Sequence, residues 1–186
     1  MDDLKLYMIL LGCKPHGRNT EQHDLFFGIG RTLSDVKNDI LDFWKEANGK
    51  IHIDAWRQVH VVDGYKIQVV EKQNTDRSGN EKLFFINLGG YKKNEFEEYH
   101  YKLLTISPEK GIAIQKAKQT AFYKHTGFEG ATSHIDDKYG LDVDDIYEIE
   151  DILPFHLKQQ YRIQLIKTED EKEDELHLGY MKIDKL

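Results

Sequence analysis

The chain has 186 residues, a net charge of −7 and 32% charged side chains, a length that suits one ordinary domain or two small ones. Its 11% aromatic content supplies bulk that disordered chains lack, and its acidic balance without a basic run disfavours a nucleic-acid partner, whose phosphates draw on Lys and Arg. One cysteine, Cys13, excludes an internal disulfide; it suits a reducing cytoplasm, as does an N-terminus without a basic, apolar leader, and the apolar run Leu6–Leu11 is too short for a membrane span.

Leu6–Leu11 reads as a central strand and Leu25–Ile29 as a second. Leu33, Val36, Ile40, Phe43 and Trp44 then recur at helical spacing, with Thr32 or Ser34 as cap and Asn48-Gly49 as stop. Ile51, Ile53, Val59 and Val61 lead into Asp63-Gly64, a tight-hairpin signal, and Tyr65–Val70 follows. The pattern is strand–strand–helix–strand–strand. Residues 72–82 contain no apolar side chain and predict a polar turn inside a hairpin that crosses to the next strand, Leu83–Gly89. Ser107-Pro108-Glu109 starts a second helix: a cap, a first-turn proline and an acid at the positive helix end. Glu169–Glu175, six acids in seven residues, reads as a solvated turn of a C-terminal hairpin.

The two halves share landmarks. Leu6-Tyr-Met-Ile-Leu-Leu-Gly12 matches Leu83-Phe-Phe-Ile-Asn-Leu-Gly89 at an offset of 77, which also places Glu21 on Glu98 and His23 on His100. Phe43-Trp44-Lys45 matches Phe122-Tyr123-Lys124 at 79, and His52-Ile53-Asp54 matches His134-Ile135-Asp136 at 82. The last offset continues through Asp63/Asp145, Tyr65/Tyr147 and Ile67/Ile149. A competing match sets Tyr65–Val70 against Tyr161–Ile166, which makes 148–160 an insertion. The expectation is an α+β fold of two tandem repeats, 1–75 and 76–186, sharing a sheet or core about a pseudo-twofold axis, with a C-terminal β-hairpin.

Leu11-Gly12, Gly17-Arg18-Asn19, Glu21-Gln22-His23-Asp24, Phe27, His52-Ile53-Asp54-Ala55-Trp56 and Asp63-Gly64-Tyr65 together resemble a bacterial family known as a domain of unknown function, DUF1543. The resemblance covers the first unit nearly throughout and implies one or two copies per chain. It implies no activity, ligand or catalytic residue. The second unit is more divergent, with Glu95 where the first has Arg18.

Glu21-x-His23 is the leading candidate site, because residues two apart on an extended segment share a face and a carboxylate can orient an imidazole or join it on a metal. Asp24 and Arg18 lie close in sequence, the latter as an anion clamp. His52-x-Asp54 has the same spacing, and its counterpart is His134-x-Asp136. Each pair has a structural alternative, a hydrogen-bond cluster that ties a loop to its own unit. His23, Glu21 and Asp24 are the catalytic candidates, and His23, His52 and Asp54 the candidate metal ligands. Arg18, Glu21, His23, His52, Asp54, Trp56, His100, His134 and Asp136 are the binding candidates. The glycine loop Gly12–Arg18 imitates a phosphate loop, but it lacks the Lys-Ser/Thr ending and the following helix.

These features point first to a small-ligand or protein-binding module with a site between or on the repeats. The alternative is a small metal-dependent or acid–base hydrolase that uses Glu21 and His23 with His52 and Asp54. No cofactor is named; a divalent metal is compatible but not favoured. Homodimerisation stays open.

Overall fold

The computed structural model describes residues 3–72, 79–91, 94–125, 142–169 and 172–186. It is a mixed α and β structure with three small sheets. The chain divides into two compact units, Met1–Thr75 with Ile152–Leu186, and Asp76–Asp151.

In the first unit, β1 (Lys5–Cys13) pairs antiparallel with β2 (Gln22–Gly30) on one side and β3 (His52–Val59) on the other. β10 (His177–Lys182) adds to the outer edge of β3. Alternation along β1 sends Tyr7, Ile9, Leu11 and Cys13 into a core with Phe26, Val36, Ile40, Ile51, Ile53 and Ile183. Full burial of an aliphatic side chain of this size contributes about 1.5–3 kcal/mol. Gly12, opposite both His23 and His52, belongs to the other face.

The β2–β3 connection is helical: a 3-10 turn at Leu33–Val36, α1 (Lys37–Phe43) and a second 3-10 turn at Lys45–Ala47. The Asp35 carboxylate accepts the N–H groups of Arg31 and Thr32 at 2.8 and 2.9 Å, satisfying donors that a helix start leaves open. Asn48 ends the segment in the left-handed region, φ 49°, followed by Gly49 at φ 74°. β4 (Val61–Val62) turns through Asp63-Gly64, both at positive φ, into β5 (Tyr65–Glu71), as the tight-hairpin signal predicts.

The second unit pairs β6 (Lys82–Tyr91) with β7 (Glu98–Ser107) and β8 (Asp142–Glu148). α2 (Lys110–His125) begins just after Ser107-Pro108-Glu109. Ala113 and Ala117 of α2 pack on Phe84, Ile86, Leu88 and Leu103. Two short helices follow, α3 (Ile149–Ile152) and α4 (Phe155–Gln160), where the insertion was expected.

The structure corrects four expectations. The C-terminal segment forms no hairpin: β9 (Tyr161–Lys167) pairs with β5, whereas β10 pairs with β3, so residues from Ile152 onward belong to the first unit rather than the second. The strands that flank 72–82 do not pair with each other, since β5 lies between β4 and β9, and β6 between β7 and β8. The offset of 82 fails. Tyr147 lies on β8, which flanks β6 as β3 flanks β1, and the strand that resembles Tyr65–Val70 is β9. β5 and β9 pair with their matching glutamines, Gln68 and Gln164, opposite each other, a local twofold arrangement. Finally, Asp174 is not solvated. Its side chain is 1% exposed, and its Oδ1 accepts the His60 and Val61 N–H groups at 2.9 and 3.3 Å.

Candidate functional site

The site begins with an irregularity in β3. Leu10 faces Ala55 but Leu11 faces Ile53, so Asp54 has no partner on β1 and is the extra residue of a β-bulge. A bulge re-aims the side chains around it. Here His52 and Asp54 both lean over Gly12. A Cβ at Gly12 would lie 2.6 Å from Asp54 Oδ2 and closer still to His52 Nε2, so any side chain here must displace both. On the opposite edge of β3, Gly179 and Tyr180 of β10 stand against the single residue Asp54. Gly179 takes φ 125°, a conformation that side chains rarely adopt. Tyr180 then lies against His52, with ring centroids 4.5 Å apart.

Four of the expected residues come together, but crosswise. Glu21 Oε1 is 2.6 Å from His52 Nε2, not on His23 as the local spacing suggested. Asp54 reaches both imidazoles, with Oδ1 3.3 Å from His52 Nε2 and Oδ2 3.4 Å from His23 Nε2. His52 is the most enclosed at 13% side-chain exposure; Glu21 and His23, at 44% and 48%, leave one side open to solvent. Asp54 Oδ2 is buried and accepts no hydrogen bond. A buried carboxylate oxygen is costly unless something charged or hydrogen-bonding faces it.

Ligand atoms of Glu21, His52 and Asp54 all lie within 4.8 Å of one another. An ion with bonds of about 2.0–2.2 Å separates neighbouring ligand atoms by roughly 3.0–3.5 Å. The 3.3 and 3.4 Å separations suit that geometry. The 2.6 Å between His52 Nε2 and Glu21 Oε1 is shorter than that, so the two side chains move slightly apart to share an ion.

The remaining candidates lie elsewhere. Asp24 faces Leu11, hence the other side of the sheet, and accepts the Leu25 N–H at 2.7 Å. Arg18 is exposed in the β1–β2 loop, where its N–H bonds to the Pro15 carbonyl. Trp56 packs against the core and stacks on His177, with centroids 3.8 Å apart and planes 9° from parallel. Cys13 is fully buried; burial pushes its thiol pKa up, Glu21 adds to this and Lys50 opposes it, the reverse of an activated nucleophile. His134 and Asp136 lie outside the described residues.

The second unit repeats the pairing. Gly89 faces His100 as Gly12 faces His23. Asn87 faces Asp145 but Leu88 faces Val143, so Asp144 is again the bulged residue, and its Oδ2 would be 2.5 Å from a Cβ on Gly89. Asp144 Oδ2 is 3.3 Å from His100 Nε2, and Glu98 completes a second group of close ligand atoms. The register therefore aligns Asp54 with Asp144, and His52 with Asp142 instead of His134. Sequence reasoning missed Asp144, because only the pairing register places it over Leu88-Gly89. It also missed Tyr180, for which no local signal exists.

Residues 18–69 match the family described as Domain of Unknown Function (DUF1543). A crystal structure titled as a protein Il1583 from Idiomarina loihiensis has the same fold. It is 20% identical, with a TM-score of 0.67, over 97% of this chain and 99% of the other. No protein of curated function matches. No helix among the described residues is long and apolar enough to cross a membrane.

Proposed function

We propose that this protein is a binding module for a divalent transition-metal ion, held by Glu21, His23, His52 and Asp54 on the first unit. The observation that carries the reading is the buried Oδ2 of Asp54, which accepts no hydrogen bond and stands 3.4 Å from one imidazole while Oδ1 lies 3.3 Å from another. Two imidazoles and two carboxylates form a mixed N/O set that suits Zn2+, Mn2+ or Fe2+. The open side at Glu21 and His23 leaves coordination positions for water or a small anionic ligand. The family-level resemblance extends in this reading to a tandem duplication, supported by matching register and bulge in the two three-strand groups. The setting is a bacterial cytoplasm, which suits the buried single thiol.

Elemental analysis and Zn2+ titration of the chelator-stripped protein test this reading. Uptake in the wild type and its loss in His52→Gln and Asp54→Asn are expected. A stripped wild-type chain that takes up no more Zn2+ than these variants overturns it.

A hydrolase is the second reading, favoured by the exposure of Glu21: here His23, His52 and Asp54 alone hold the ion, and Glu21 accepts a proton from a bound water. It predicts slow, metal-dependent cleavage of activated esters or phosphodiesters, lost in Glu21→Gln with Zn2+ retained. Equal rates in Glu21→Gln and wild type remove it.

A further inference from the structure

We propose that the second unit carries a cation site of its own, at Glu98, His100 and Asp144, and that this site prefers harder, more hydrated ions than the first: Mn2+ over Zn2+, relative to its counterpart. The proposal rests on the metal reading of the first site, and its test separates the two.

Three observations converge. The first is register. The Leu-Gly end of the central strand, the Glu-x-His entering its neighbour and the bulged aspartate on the far side all recur, although few side chains around them are the same. A bulge and a glycine are both unfavourable in a regular strand. Their joint return beneath an aspartate means that the local backbone is again bent to bring that carboxylate to a histidine. A helix start, a surface salt bridge or a turn would need neither. The ligand atoms again gather within 4.8 Å, and the His100–Asp144 separation of 3.3 Å is again that of two ligands on one ion.

The second observation is composition. At the register position of His52 the second unit has Asp142. The ligand atoms gathered within 4.8 Å hold one imidazole and two carboxylates in each unit, and the first adds a second imidazole, His23, 3.4 Å from Asp54 Oδ2. Without that further nitrogen donor the advantage of Zn2+ is lower, which favours Mn2+ or Mg2+.

The third is solvent. Glu98, His100 and Asp144 are all exposed, whereas His52 and Asp54 are partly buried. Among the described residues, β8 has no further strand beside it that would carry an equivalent of Tyr180. An ion held here keeps several waters, which suits a cation that dehydrates reluctantly.

The test uses the full chain, stripped with chelator, titrated with Mn2+ followed by electron paramagnetic resonance, then challenged with Zn2+. Wild type, Asp144→Asn, Glu98→Gln and His52→Gln are compared, with circular dichroism verifying the fold of each. Two Mn2+ equivalents are expected in wild type and one in each of the other chains. The Mn2+ that remains in His52→Gln should resist Zn2+ about 10-fold better than the one that remains in Asp144→Asn. If Asp144→Asn and Glu98→Gln both bind as many ions as wild type while His52→Gln loses one, the second site is wrong and the first stands. If His52→Gln alone is unchanged, the first-site reading falls and the second site survives. Equal Zn2+ resistance at the two sites overturns the selectivity.

Discussion

The central strand of each unit ends on Leu-Gly, and what differs is the cover over that glycine. Gly12 lies beneath both His52 and Asp54, with Tyr180 of an added edge strand against the imidazole. Gly89 lies beneath Asp144, on a three-stranded sheet. The same bulge thus gives a half-enclosed cluster with a second imidazole, His23, beside it in one unit and an open cluster in the other. The backbone places the aspartate; the neighbouring strands decide how dry and how soft the site is.

The largest expected effect comes from the support of the first cluster. Arg57, on the same strand as His52 and Asp54, is held by Asp174, whose Oδ1 also takes two backbone N–H groups. Burial pulls the Arg57 pKa down and the Asp174 carboxylate opposes that pull, so removing the acid leaves an uncompensated charge. Asp174→Ala should cost about 3–5 kcal/mol in chemical denaturation and weaken the first ion site. A loss below roughly 0.5 kcal/mol, the ordinary range for surface changes, would show that the clasp is incidental.

Next is the glycine pair. Gly12→Ala must displace an imidazole and a carboxylate, and Gly89→Ala a carboxylate alone. Misplacing two ligands should weaken the first site by about 100-fold or more, and misplacing one the second by about 10-fold. Equal losses in calorimetry would mean that the cover over Gly12 does not set the difference between the units.

Tyr180 gives a smaller and more selective effect. Tyr180→Ala should lower first-site affinity about 10-fold through loss of His52 orientation, with Tyr180→Phe near wild type because the ring and not the hydroxyl touches the imidazole. An effect of the same size at the second site would remove the edge strand from the explanation.

The smallest change serves as the control. Asp35 is held below the usual carboxylate range chiefly by the Thr32 backbone N–H, with further help from Arg31. A depressed folded-state pKa stabilises above the unfolded value and loses that contribution as pH falls through the lowered one. Asp35→Ala should therefore cost about 1 kcal/mol at neutral pH, with the two stability curves converging in acid. Neither ion site should respond, and a shift in Zn2+ or Mn2+ affinity would tie the helical segment to the comparison.

Much of the local structure was readable from the residues. β1 followed from an unbroken apolar run, the β4–β5 turn from Asp63-Gly64, and the sharing of a face by Glu21 and His23 from period-two alternation. The wrong alignment of the second unit has a clear origin. His134-Ile135-Asp136 copies the letters of His52-Ile53-Asp54, whereas Asp142-Val143-Asp144 copies its place in the sheet. Letters carry identity, but only hydrogen-bonded register carries position. Asp174 departs from expectation for a related reason: the acids of Glu169–Glu175 look alike in sequence, and only the fold shows that the Asp174 side chain is buried.

The sequence by itself determined the strands β1, β2 and β5, the turn at Asp63-Gly64, and that Glu-x-His and His-x-Asp could act as pairs, because those properties depend on neighbours a few positions apart. The tertiary structure alone decided that Glu21 meets His52, that Asp54 bridges two histidines, and that Tyr180 leans on the site. Those contacts hang on the bulges in β3 and β10. One extra residue in a strand flips every side chain beyond it to the other face, and the pairing that creates such a bulge joins segments far apart in the chain.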